Sequence, residues 1–290
     1  MLTFRPINYQ TDVPEIIRLL KTSLSDNHTA SNFLWKHYDN PFGKSYGLLA
    51  CDEGQIVGVR MFMFWEFRQM NKIVRAIRPV DTITHPNYRG RGIFKKLTLE
   101  GLQKNEGNYD IIFNTPNSNS FPGYLKLGWK KFDHPLNYYI SIILPSSGYS
   151  KQITLVERIE LPIGITEFPS EFFKTNFTEN YFKWRFRSNE YSFAMFKEDN
   201  SILFLIYRIK RIKGIKTLIL IDYVGLDRYL KKALKGLAKK LRLYAIYHLE
   251  NKELFQLTKR VGGSVVVHKE DNNSISNNIK FSLADLEGRL

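Results

Sequence analysis

A single cysteine, Cys51, stands among 290 residues. No disulfide can form within the chain, and no cysteine-rich metal site can be assembled. The neighbours Leu48, Leu49 and Ala50 are apolar, a setting that suits a buried structural thiol better than a nucleophile. Long apolar runs are missing too. The longest, Ile56 to Trp65, is broken by Arg60 and is too short to cross a bilayer as a helix. The opening residues, Met1-Leu-Thr-Phe-Arg5, lack the apolar core of a signal peptide. These absences predict a reducing, cytoplasmic location, no transmembrane segment and no bound metal.

Acidic residues are scarce. Lys and Arg number 43 against 28 Asp and Glu, a net charge of +15 and a pI near 9.7. The excess is uneven: Arg208 to Arg242 carries twelve basic residues against Asp222 and Asp227 alone. Such a surface attracts nucleic acid, an anionic membrane or a phosphorylated small molecule, and a solvated lysine-rich face accounts for it equally well. What is abundant is core material. Hydrophobic residues make up 43% and aromatics 14%, which excludes a disordered chain. The length allows one large domain or two of ordinary size.

Thr3 and Phe4 suggest a short strand, followed by a helix opening at Thr11 or Asp12. Pro14 suits its first turn, and Ile16, Ile17, Leu19 and Leu20 form its buried stripe. The runs Tyr46–Cys51, Ile56–Phe67 and Lys72–Ile83, broken by Asp52-Glu-Gly54 and Asn71, predict a meander of antiparallel strands. From Gly92 to Gln103 the period becomes helical, with Phe94, Leu97 and Leu102 on one side. Tyr109–Asn114 then forms a compact strand, and Gly128 stops a short helix containing Tyr124. A strand–loop–helix–strand unit of this kind predicts a parallel crossover.

Leu144 to Tyr149 is the expected linker. Beyond it, Phe33, Trp35, Lys36 and Asn40 recur at one constant spacing as Phe182, Trp184, Arg185 and Asn189. Asn117 and Gly128 recur at a shorter spacing as Asn251 and Gly262. The helix Asp227–Leu241 and the strand Tyr244–His248 lie between these matches. A second, shortened copy of the same topology explains both spacings.

The most informative stretch runs from Val80 to Phe94. Its strand, Pro86 turn and basic loop, Arg89-Gly90-Arg91-Gly92-Ile93-Phe94, feed directly into the helix. Two glycines allow close backbone approach, and the helix start presents unpaired N–H groups, a nest suited to a diphosphate. A dinucleotide fingerprint would need glycine where Lys95 stands. A Walker loop would need Lys and Ser or Thr after Gly92, where Ile93 and Phe94 stand.

This loop resembles the pyrophosphate loop of the GNAT N-acetyltransferase superfamily, [QR]-x-x-G-x-[GA]. Arg89 and Gly92 fill its first and fourth places, while Phe94 departs from the small sixth residue. A second element is similar to the family's N-x-x-A-x-x-L-Y-x-K-x-G-[FW]. It reads Asn117, Ser120 for Ala, Gly123 for Leu, then Tyr124, Lys126, Gly128 and Trp129. The resemblance covers about residues 1–140.

What the resemblance implies is a mixed α/β GNAT fold in two tandem lobes. Residues 1–144 would be the catalytic acetyl-CoA-binding domain and residues 153–290 a degenerate copy closing the acceptor side. Acetyl-CoA would lie between splayed strands, its arm on the backbone of Ile83 and Thr84. Its diphosphate would sit on the amides of residues 89–94, and Asn117 would steady the arm. A primary amine would attack the thioester directly, with positioning lowering most of the barrier, and Tyr124 would protonate the departing thiolate. Asp81, Glu66, His85 and, through water, Asn114 are candidate bases. Asp81 serves equally well as a brace for the loop, and His85 beside Pro86 suits a turn better.

The second copy lacks this equipment: Asp222-Tyr-Val-Gly-Leu-Asp227 replaces the loop and Thr258 the tyrosine. Its basic helix could pack ordinarily or meet a membrane surface or a partner. Two-lobed relatives suggest amino sugars, including nucleotide-linked ones, as acceptors. The competing reading is a non-catalytic acyl-CoA sensor or nucleic-acid-binding protein on the same scaffold.

Overall fold

The computed structural model describes residues 1–22, 28–133, 136–144, 147–157, 161, 164–165, 170–198, 200–251, 254, 258–269 and 275–286. Pro145 and Ser146 of the expected linker lie outside the described residues. The chain divides into two compact units, Met1–Phe132 with Val266–Ile279, and Asp133–Val265 with Lys280–Leu290.

The first unit contains β1 (Thr3–Pro6), α1 (Val13–Lys21), α2 (Ala30–His37), β2 (Tyr46–Asp52), β3 (Gln55–Gln69) and β4 (Lys72–Thr84). It continues with α3 (Ile93–Lys104), β5 (Ile111–Asn114), α4 (Phe121–Lys126) and β6 (Lys130–Lys131). The second unit contains β7 (Leu136–Ile142), α5 (Ser147–Ser150), β8 (Ile153–Val156), β9 (Lys174–Thr175), α6 (Glu179–Arg185) and β10 (Ser192–Glu198). There follow β11 (Ser201–Ile212), β12 (Ile215–Val224), α7 (Leu230–Leu241), β13 (Ala245–Leu249) and β14 (Thr258–Ser264). β15 (Val267–Lys269) belongs to the first unit, and α8 (Leu283–Leu286) to the second.

The first sheet runs β1-β2-β3-β4-β5-β15-β6. Its strands are antiparallel except β4 and β5, which are parallel and joined through α3. That crossover is the one the change of period predicts. Ile16 and Leu20 of α1 are fully buried against Leu49, Val59 and Met61 on one face, and each such side chain contributes about 1.5–3 kcal/mol. On the other face Ile93 and Leu97 of α3 pack on Leu48, Ala50 and Val57. A Cβ on Gly58 would lie 3.0 Å from Ile93 Cγ2, so the bare glycine lets the start of α3 settle close to β3.

The second sheet runs β8-β10-β11-β12-β13-β7-β14. It repeats the first in direction as well as order: antiparallel strands, one parallel pair (β12 and β13) spanned by α7, then two more antiparallel strands. The sixth place in each sheet is filled out of sequence order, by β15 in the first and β7 in the second. A boundary at Leu144 therefore differs from the observed division, because residues 136–142 hydrogen-bond to β13 and β14. Their alternating pattern shows a strand but not which sheet it joins.

The repeated tryptophan motif corresponds in structure. Thr29 and Thr178 each accept the backbone N–H three residues on and cap α2 and α6, and Trp35 and Trp184 are both buried. The matches of Asn40 with Asn189 and of Gly128 with Gly262 do not correspond. Asn40 is buried and donates to the Phe64 carbonyl, whereas Asn189 is exposed. Gly128 follows α4 with φ +81°, whereas Gly262 lies within β14 opposite Tyr138.

Candidate active site

Hydrogen-bonded pairing of β4 with β5 covers Ala76–Ile111 and Ile77–Ile112 among the described residues. β4 then runs on to Thr84, while Asn114 at the end of β5 pairs with Val267. Among the described residues no pairing joins the two strands beyond Ile77 and Ile112, and Arg60, Asn114 and Tyr124 meet at this end. A bulge marks the same place: Val59 pairs with Ile83 and Met61 with Val80, so Arg60 on β3 faces both Asp81 and Thr82 on β4. Asp81 takes the extra turn with φ +44°, a conformation that Asp tolerates better than most residues.

Past β4, Pro86–Tyr88 forms a short helical turn, and the His85 ring nitrogen accepts the Asn87 N–H. His85 is thereby a turn residue. Gly90 and Gly92 have φ +78° and +75°, and nothing lies within 4 Å of where a side chain would start on either. Backbone conformation is what these positions demand of glycine, and the open space above them is where a ligand would approach. Gly92 is the N-cap of α3 and brings no side-chain cap to the first turn. The free amides and the positive helix end remain for an anion. Arg89, Gly90, Arg91 and Gly92 are exposed, Ile93 is buried and Phe94 half-buried. Ile83 is buried and Thr84 half-buried on β4.

Tyr124 projects from α4 into this region and is only 2% exposed. Its ring meets Phe94 edge-on at 5.9 Å and Trp129 at 4.7 Å between centroids. The hydroxyl oxygen accepts from two donors: Arg60 Nη2 at 2.9 Å and Asn114 Nδ2. Asn114 is oriented by its own carbonyl oxygen, which accepts the Thr115 N–H at 2.8 Å. Arg60 is fully buried, donates through Nη1 to Thr82 Oγ1 at 3.2 Å, and lies 4.8 Å from the Phe94 ring centroid. With both lone pairs engaged, the phenolic proton is left to donate elsewhere.

Asp81 turns to the opposite face. Its carboxylate accepts from Lys36 Nζ at 3.0 Å and His37 Nε2 at 2.8 Å, both on α2. Burial pushes the carboxyl up, but Lys36 and His37 outweigh it and hold it far below the usual carboxylate range. Burial also lowers His37, against the pull of Asp81. The imidazole is therefore neutral, with Nε2 donating to Asp81 and Nδ1 accepting from Ser45 Oγ at 3.0 Å. A carboxylate so engaged has little tendency to take a proton, and its geometry is that of a brace between α2 and the bulge.

Of the other expected residues, Asn117 uses its side-chain oxygen to accept the Asn119 and Ser120 N–H groups ahead of α4. Glu66 lies opposite Arg75, beyond the paired part of β4 and away from its open end. Arg60, Lys36 and His37 were not singled out as site residues. The signal for Arg60 was its interruption of an apolar strand, and for Lys36 its place in the repeated tryptophan motif.

The equivalent loop of the second unit carries acidic residues in place of the basic glycine loop. Asp227, just ahead of α7, forms ion pairs with Lys174 at 3.5 Å and with Lys280, and accepts from the Tyr223 hydroxyl at 2.8 Å. A carboxylate paired with two lysines thus stands just ahead of α7, where the first unit has its basic glycine loop. Leu230, Leu234 and Leu237 pack inward from α7 and Leu241 is partly buried, so this helix packs in the ordinary amphipathic way. Among the described residues no helix is long and apolar enough to cross a membrane, and no group of His, Cys, Asp and Glu is placed to hold a metal ion.

A mixed α/β sheet thus ends beside a basic glycine loop, with a buried tyrosine close by. Residues 3–132 match the model of the acetyltransferase (GNAT) domain family. Among solved structures, a conserved Enterococcus faecalis protein described as a "probable N-acyltransferase" superposes with a TM-score of 0.72 at 12% identity, covering 96% of this chain and 73% of that one. A GCN5-related N-acetyltransferase from Anabaena variabilis gives 0.72 at 13% identity, covering 94% and 73%. One from Kribbella flavida gives 0.67 at 14%, covering 92% and 70%. At these identities the likeness is one of fold. No curated protein matches the sequence.

Proposed function

We propose that the protein transfers the acetyl group of acetyl-CoA to a primary amine. The observation that carries this reading is the Tyr124 hydroxyl, held by Arg60 and Asn114 at the open end of β4 and β5. The diphosphate rests on the amides of residues 89–94, with Arg89 and Arg91 adding charge, and the arm follows the backbone at Ile83 and Thr84. The amine nitrogen attacks the thioester carbon, the C–S electron pair passes to sulfur, and the Tyr124 proton moves to that sulfur. The proton lost from the new amide nitrogen restores the phenol. Asp81 serves as a brace rather than as the base.

The second unit, with Asp227 at its helix start, contributes no second acyl-CoA site. The acceptor we favour is an amino sugar, free or nucleotide-linked, and the anionic diphosphate of the nucleotide-linked form suits a chain of net charge +15. The test is release of CoA thiol from acetyl-CoA across glucosamine, a nucleotide-linked glucosamine, spermidine, kanamycin and a peptide with a free N-terminus. Turnover with any of these supports acyl transfer, and preference for the nucleotide-linked sugar supports the acceptor. Tight acetyl-CoA binding with no turnover on any amine favours a sensor instead.

A further inference from the structure

Arg60 is the least expected residue of the first unit. It is a guanidinium with 0% exposure in the middle of a sheet strand, and among the described residues no carboxylate pairs with it. Its Nε has no hydrogen-bond partner. Burying an uncompensated cation is costly, and it persists where the surrounding structure fixes it. Here Thr82 and the rings of Phe94, Phe62 and Tyr124 do so. Since no part of Arg60 reaches solvent, its most direct influence on a reaction passes through the groups it touches. One of those groups is the oxygen that becomes negative when Tyr124 gives up its proton.

Resting on the acyl-transfer reading above, we propose that Arg60 is a positioning residue for this reaction. It holds Tyr124 in place and carries the charge left on the phenol oxygen while the proton is on the departing sulfur. The cation lacks a carboxylate because its counter-charge forms only during turnover. Before transfer the Arg60–Tyr124 bond joins a cation to a neutral phenol. After the proton moves it joins a cation to a phenolate, and it strengthens at that point. Asn114 adds a second, neutral donor to the same oxygen. Balance is kept within the site: one proton goes from phenol to sulfur, and one returns from the amide nitrogen to the phenolate.

The test compares Arg60→Met, Arg60→Lys and Tyr124→Phe in the full chain, using the best amine of the panel and two acetyl donors. One donor is acetyl-CoA. The other is an acetyl thioester of an acidic aryl thiol, whose thiolate leaves without a proton. Arg60→Met is expected to lower kcat on acetyl-CoA by about 10- to 100-fold, part of what a positioned acid supplies, with acetyl-CoA affinity within about threefold. On the aryl thioester both Arg60→Met and Tyr124→Phe should fall by less than about threefold, since no acid is needed. Arg60→Lys should recover part of the loss, and the double variant should be no slower than Tyr124→Phe alone.

An equal defect on both donors, or multiplying defects in the double variant, would make Arg60 merely structural and overturn the proposal. If Arg60→Met does not fold, Arg60→Lys carries the comparison, and an identical loss on both donors overturns the proposal in that form. The failures are distinguishable. Should the wild type release no thiol with any amine, or Tyr124→Phe keep full activity, the acyl-transfer or acid assignment falls and the proposal with it. An impaired Tyr124→Phe beside an unimpaired Arg60→Met overturns only the role of Arg60.

Discussion

Phe94 and Gly123 fit each other: a Cβ placed on Gly123 would lie 3.2 Å from the Phe94 ring. These are two of the positions at which the chain departs from the GNAT patterns, one large where the family is small, the other small where the family carries Leu. The departures compensate in space, and together they close the ring wall beside Tyr124.

Gly123→Leu is therefore expected to cost about 1–3 kcal/mol through overpacking, and Phe94→Ala to leave a gap beside Tyr124. Combining the two should recover stability, giving a favourable coupling of about 1 kcal/mol or more in a double-mutant cycle. Denaturant unfolding of the four proteins measures it. Strict additivity would show that the two residues do not compensate.

Acetyl-CoA is expected to raise the melting temperature, and Gly92→Asp to abolish that rise, because it sets a side chain and a negative charge in the amide nest at φ +75°. Gly92→Ala, strained by about 1–2 kcal/mol, should lower the melting temperature yet keep part of the shift. An unchanged shift in a folded Gly92→Asp protein would move the cofactor elsewhere.

Asp81→Asn separates brace from base. It leaves Lys36 without its counter-charge, and breaking a buried pair costs about 3–5 kcal/mol. A large fall in stability is expected, with kcat in the folded fraction reduced less than tenfold, which is less than loss of a base would give. Unchanged stability with a collapse of kcat would restore Asp81 as the base.

How much of this was legible in the sequence follows from what each signal encodes. Local period and turn chemistry point to the α3 crossover and the glycine nest, because each is written in adjacent residues, and the resemblance to the GNAT pattern points to Tyr124. Asp81 was legible as a polar residue on the right strand. Its direction was not, because the bulge that turns it toward α2 arises from pairing with β3. The exchange of β7 and β15 between the sheets was hidden for a similar reason: a strand's own pattern does not name its neighbour. Gly262 misled because a glycine marks a helix end and a strand irregularity alike.

The brace also sets a pH response. Burial lowers the folded-state value of His37, so below its ordinary value of about 6.5 the unfolded chain takes up a proton that the native state refuses. Its contribution is thus present above that pH and is lost as the pH falls. Asp222, pushed up to about 7 by burial and by Asp285, acts in the opposite sense, so the comparison must be made between variants. His37→Gln keeps a donor for Asp81 and should flatten the fall in melting temperature between about pH 6.5 and 5. Parallel curves for the two proteins would refute the assignment.

The most direct test of acetyl transfer through Tyr124 is the Tyr124→Phe variant, read by thiol release and by acetyl-CoA affinity on the same sample. Removing one hydroxyl keeps the ring between Phe94 and Trp129, so affinity should stay within about threefold while kcat falls by about 10²- to 10³-fold. Full kcat at every pH, with affinity unchanged, would contradict the account by removing the hydroxyl from the reaction.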